Sequence, residues 1–422
     1  MPSTPASTSS SASSSASSSD SGRRAELDAV RVLVVVGLVF FHSALVFGAH
    51  DDFYVKNAET TDVTLVVAAV GVLWAMPLLF FLAGLGAWHS LRRRSTGAFV
   101  VERLRRLGVP LLFGTLVLVP VPQWLRLRAD PAHQESYLEF LPRFFRIDLE
   151  PGKFPFVLQG EFFETGHLWF LVLLLTFSLL LAPATHGFRS PANRDRVARL
   201  RDRMAAFAER RRGATLLPAV PLAVWCALAG LEEEYGGWHR WAYLLFYLFG
   251  FVFATDDRFR AAARRDARLI VLAGLLFCLV GVPAMLLAGD AAFTGPAPLA
   301  MAGRSLFGAA GWCWLMAIIG LLDRVRPARP RTGGREPRRW YAYLSEAVLP
   351  LYILHQPIVV AVAYGVVRWD APIAVKFTVI VMASFALLAL AYDLLVRRTG
   401  VTRFLFGLRP APRAARDQVD QG

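Results

Sequence analysis

The chain has 422 residues, 55% of them hydrophobic and 18% charged, with a mean hydropathy of +0.44. Soluble globular chains sit nearer 45–50% apolar and about 25% charged. The apolar excess falls in blocks of about 20 residues, the helical length that crosses a hydrocarbon core about 30 Å thick. That pattern excludes a soluble enzyme, a disulfide-stapled secreted domain and a disordered chain. The net charge of +14 belongs to membrane topology rather than to nucleic acid, because cytoplasmic loops collect Lys and Arg.

Residues 1–24 open with a low-complexity tail in which 12 of the first 21 residues are serine. Such a segment cannot bury enough surface to fold, and the apolar run that follows Arg23 and Arg24 reads as an uncleaved first span. Ten spans are predicted, over 29–49, 63–88, 107–125, 167–187, 214–231, 238–255, 268–288, 300–322, 342–367 and 372–396. The fold class expected is therefore all-α, a polytopic membrane helical bundle of about ten transmembrane helices. Residues 25–400 form the membrane domain and 401–422 a cytoplasmic C-terminal tail. With both termini in the cytoplasm, 35 of the 46 Lys and Arg fall on inside segments. The outside loop 126–166 is mixed, with five basic and seven acidic residues. The expected location is the plasma membrane, crossed many times. Cys226, Cys278 and Cys313 lie within apolar blocks without ligand spacing, so they read as packing residues, and no metal is expected.

Ionisable side chains inside a membrane are costly, which makes each one a site candidate. The first span holds Asp28, Arg31 and His42. Eleven residues separate Arg31 from His42, about three turns, so they share a face roughly 16 Å apart along the axis. Asp28 is placed to pair with Arg31; helix-end anchoring by the pair and packing by His42 are the plainer alternative. Arg103 and Arg106 stand at i and i+3 at the entry to the third span, a geometry suited to phosphate oxygens and equally to lipid headgroups. His167 opens the fourth span and His355 lies within the ninth. By topology these two and His42 can converge in the outer half, where a neutral imidazole serves as general base; as single residues they read equally as satisfied packing histidines.

These residues fall in ordered motifs: Leu27-Asp28, Arg31 and His42; Phe80-Phe81-Leu82-Ala83-Gly84; Val101 to Pro110; His167-Leu168-Trp169-Phe170-Leu171; Tyr352-Ile353-Leu354-His355-Gln356-Pro357; and Arg403-Phe404-Leu405-Phe406. In these the chain resembles the acyltransferase-3 family of integral membrane acyltransferases over about residues 25–410, above all its branch linked to O-succinylation of periplasmic glucans. The resemblance implies transfer of an acyl group from cytoplasmic acyl-CoA, acetyl-CoA or succinyl-CoA, to a hydroxyl of a cell-envelope glycan. It makes His42 the catalytic histidine, Arg31 its partner, and Arg103 and Arg106 the pair that meets the coenzyme A phosphates. Many members carry a glutamate a few residues into the fourth span, after the tryptophan; here the stretch is Phe170-Leu171-Val172-Leu173-Leu174, so His167 or another group must orient the base. Expected partners are membrane lipids and a glycan or polysaccharide acceptor, with no nucleic acid and a homodimer left open. The competing reading is a multi-span transporter or flippase of an anionic metabolite or lipid-linked glycan, though the paired internal repeats common in transporters are not evident.

Overall fold

The computed structural model describes residues 29–49, 52–61, 63, 71–130, 132–188, 190–324 and 339–410. The serine-rich tail and Asp28 lie outside the described residues. The described chain is mostly helical. Helix α1 runs Ala29–Leu45 and α2 Ala75–Arg93. Helix α3 spans Thr96–Arg128, capped by Ser95, whose side chain accepts from the Ala98 amide. It is interrupted by two π-helical segments, Leu104–Gly108 and Gly114–Leu118. After it come α4 (Tyr137–Phe144), opened by a Ser136/Glu139 capping box, and a two-strand antiparallel pair, β1 (Asp148–Leu149) and β2 (Leu158–Gln159), with Asp148 opposite Gln159.

Helices α5 (Trp169–Phe188), α6 (Pro191–Arg210), α7 (Ala219–Ala229) and α8 (Arg240–Phe253) follow. The remainder comprises α9 (Asp257–Ala288), α10 (Pro298–Arg324), α11 (Arg339–Val366), α12 (Ile373–Ala391) and α13 (Gly400–Leu405). Among the described residues, six helices are long and apolar enough to cross a membrane: Thr96–Arg128, Gly166–Thr185, Asp257–Ala288, Pro298–Arg324, Ala342–Val366 and Ile373–Val396. They coincide with six of the ten predicted spans. The runs at 29–49, 214–231 and 238–255 fold as shorter helices, and the run at 63–88 contributes α2.

The helices pair most extensively as α9 with α10, α2 with α8, α7 with α10, and α11 with α12. Two glycines let α2 and α8 touch backbone to backbone. A Cβ on Gly84 would stand 1.9 Å from the Tyr247 carbonyl oxygen, and one on Gly250 would stand 2.0 Å from that of Phe81. Small residues at such crossings replace the hydrophobic driving force that is missing between helices in lipid. Around the contact lies an aromatic core of fully buried Phe80, Phe81, Phe177, Tyr243, Phe246, Tyr247 and Trp238. Residues 400–410 are packed on the bundle: Arg403 is buried, donates to the Arg409 carbonyl at 3.0 Å and pairs with Glu346.

Candidate active site

Three imidazoles meet between α1, the start of α5 and α11. The His42 and His355 rings are 4.9 Å apart, and those of His355 and His167 are 5.0 Å apart, both edge to face. Each ring is held by a backbone carbonyl. Carbonyls only accept, so the ring nitrogen facing one must carry the proton. His42 donates from Nδ1 to Leu38, one turn back on its own helix, at 2.9 Å. His355 donates from Nδ1 to Tyr352 at 2.5 Å, and His167 from Nε2 to Ile353 at 2.9 Å. Tyr352 returns a hydrogen bond from its hydroxyl to the His167 carbonyl. The lone pairs therefore sit on Nε2 of His42, Nε2 of His355 and Nδ1 of His167. Among the described residues Nε2 of His355 is buried with no partner.

The three rings line one wall of a cavity of about 820 Å³. Its other walls come from Phe41, Phe53, Trp74 and Trp169, and a polar network closes one side. There the Tyr54 hydroxyl donates to Glu164, Gln123 bonds the same carboxylate, Gln356 bonds Tyr54, and Arg126 pairs with Asp52. Burial raises the Glu164 carboxyl above its ordinary value of 4.5, and burial together with Glu164 holds the Tyr54 phenol well above 10.0. The loop that presents Tyr54 is fastened at two points: Lys56 donates to the Leu45 carbonyl at 2.9 Å, and the buried Lys376 ammonium donates to Asn57 at 2.9 Å and to the Val367 carbonyl at 3.1 Å. Opposite, Arg240 joins the hairpin to the turn before α8, pairing with Glu232 at 2.7 Å and donating to the Lys153 carbonyl at 3.1 Å.

The basic candidates gather elsewhere. Arg31, at the other end of α1, donates to the Leu82 carbonyl at 3.2 Å. It lies within electrostatic reach of Arg103 and Arg106, and Arg409 adds a fourth guanidinium near Arg106. Arg103 lies over the Phe99 ring at 4.9 Å, and among the described residues its buried Nε has no hydrogen-bond partner. Glu102 is the nearby counter-charge, 2.6 Å from Arg94 and 3.9 Å from Arg106. Like charges held this close, with a buried donor left open, form a fitting seat for a multiply charged anion.

Sequence reasoning singled out all three histidines and three of the four arginines. The structure groups Arg31 with Arg103 and Arg106 rather than with His42. It also answers the question left by the missing fourth-span glutamate, since the group that orients His42 is the Leu38 carbonyl. Tyr54, Glu164, Gln123 and Arg409 were missed. Glu164 stands three residues before His167, and that proximity to a candidate was the one available signal. Among the described residues no group of three or more His, Cys, Asp or Glu is arranged to hold a metal ion.

A family model described as an acyltransferase domain, that of the acyltransferase-3 family, matches residues 24–395. Comparison with curated proteins and with solved structures gives no match.

Proposed function

The chain belongs to the acyltransferase-3 family, and from that premise we propose that it is a membrane O-acyltransferase moving an acetyl or succinyl group from acyl-CoA to a hydroxyl of a cell-envelope glycan. The observation that carries this reading is the half-buried His42, fixed through Nδ1 on Leu38 so that a bare Nε2 faces a roomy cavity. Acyl-CoA supplies an activated thioester and a phosphate-rich handle. Arg103, with its open buried Nε, holds those phosphates together with Arg106, Arg31 and Arg409. Nε2 of His42 takes the proton of the acceptor hydroxyl as its oxygen bonds to the acyl carbon. The carbon–sulfur bond breaks, and His42 returns the proton to the departing sulfur. His355, packed on His42, shares the proton in transit. Tyr54, Glu164 and Gln356 bind neighbouring acceptor hydroxyls and align the one that reacts.

In this reading the enzyme lies in the plasma membrane with the arginine end and both termini in the cytoplasm, so donor and acceptor arrive from opposite sides. The test is mass spectrometry of surface and periplasmic glycans from cells producing wild type or His42→Ala, with both proteins shown to be in the membrane. An ester present with wild type and absent with the variant is the expected result, and its added mass names the acyl group. Equal ester content in the two strains would overturn the assignment of His42.

A further inference from the structure

Helix α6 packs against the bundle along a narrow strip. Its buried residues include Ala205 and Ala208, and it is tied to α9 by the pairing of Asp202 with Arg258 at 2.6 Å and by Arg265, which donates to the carbonyls of Ala208 at 3.1 Å and Arg211 at 2.9 Å. Its largest apolar side chains lie elsewhere. Val197, Leu200, Met204 and Phe207 are 37–57% exposed. At about 100° per residue they occupy one arc of about 80°. Arg196, Arg199, Arg203 and Arg210 border that arc, while Asp195, Asp202 and Glu209 fall on the far side. The helix thus carries an uncovered apolar stripe with cations beside it and anions turned away. It joins α9 at that helix's charged first turns, before the apolar stretch begins.

We infer that α6 lies in the plane of the membrane interface, with the stripe sunk among acyl chains and Arg196, Arg199, Arg203 and Arg210 on anionic lipid headgroups. A basic amphipathic helix with an apolar face of this kind buries that face about 5–10 Å into the headgroup–acyl boundary. Charge decides the occupant. A soluble protein partner would face a row of guanidiniums beside the stripe and would need its own acids, whereas an anionic leaflet offers both chemistries at once.

The full chain, with Cys278→Ala to lower background labelling, is reconstituted in nanodiscs of phosphatidylcholine with phosphatidylglycerol. A nitroxide is placed in turn at Val197, Leu200, Met204 and Phe207, and at Asp195 and Glu209 for comparison. The four stripe labels are expected to be accessible to oxygen, shielded from a water-soluble nickel chelate, and about 5–10 Å below the phosphates; the other two face water. In discs of phosphatidylcholine alone, or with Arg196→Gln, Arg203→Gln and Arg210→Gln combined, the labels at Leu200 and Met204 move toward water. The inference is overturned if the stripe labels are as chelate-accessible as that at Asp195, which leaves the helix in solvent. It is equally overturned if they are shielded from both probes, which means a protein covers the face. Unchanged depth on removing the anionic lipid refutes the headgroup assignment.

Discussion

At the scale of the residue, His42 is oriented by its own helix: the Leu38 carbonyl fixes the ring without a carboxylate to stabilise an imidazolium. His42→Gln is expected to lower kcat about 10²–10⁴-fold, the usual contribution of a general base, with KM for the acyl donor unchanged. Steady-state kinetics on purified protein checks this. Glu164 makes a second, pH-dependent prediction. Its raised carboxyl binds a proton more tightly folded than unfolded. The stability this contributes is therefore full below 4.5 and is lost as pH rises through the higher folded value. Glu164→Gln, which stays neutral, is expected to flatten the loss of melting temperature over that interval, as measured by thermal unfolding in detergent at a series of pH values. The histidines were legible beforehand because an ionisable ring in an apolar run stands out. Glu164 and Tyr54 were not, because a carboxylate and a phenol in polar loops have no period to betray the wall they form.

At the scale of the element, the contact of α2 with α8 is the tightest test. Gly250→Ala would put a Cβ 2.0 Å from the Phe81 carbonyl oxygen, with backbone on both sides and no flexible side chain to yield. Overpacking of this kind costs about 1–3 kcal/mol or more. A lower melting temperature is expected, with loss of activity because α2 carries the Leu82 carbonyl that receives Arg31. The long helices were legible from hydropathy, since a run such as 372–396 has no interruption. The short ones were not, because a hydropathy count takes no notice of backbone geometry. In the run at 214–231, Pro218 stands just before α7, and Gly230, at φ +84°, turns the chain against the Phe293 carbonyl, leaving 11 helical residues. In the run at 29–49, the helix ends in a turn at Phe47, whose amide bonds the Ala44 carbonyl.

At the scale of the whole molecule, α1 joins an arginine seat at one end to an imidazole cavity at the other, and the two are expected to fail separately. Arg103→Gln removes charge-assisted hydrogen bonds of about 1.5–3 kcal/mol, so KM for the acyl donor should rise roughly ten-fold to hundred-fold while KM for the acceptor holds. The reverse split is expected for Tyr54→Phe. Two-substrate kinetics on both variants decides, and equal effects on both constants would refute the division. The uneven distribution of basic residues made two chemically distinct ends legible in the sequence. Which arginine belongs to which end was not, since Arg31 and His42 share a helical face yet serve different sites. Helix α3 runs between those ends, entering with Arg103 and Arg106 and leaving with Gln123 and Arg126, and it does so through two π turns. A π turn holds one residue more than an α turn needs, so each works as an insertion that sets the phase of everything after it. Deleting one residue from Gly114–Leu118 would let the helix tighten and swing Gln123 and Arg126 by about 100° off the cavity wall, with every site side chain still encoded and the arginine seat still in place. The alignment of donor to acceptor in this chain is thus written partly in the count of its residues, where a one-codon deletion does what no single substitution can.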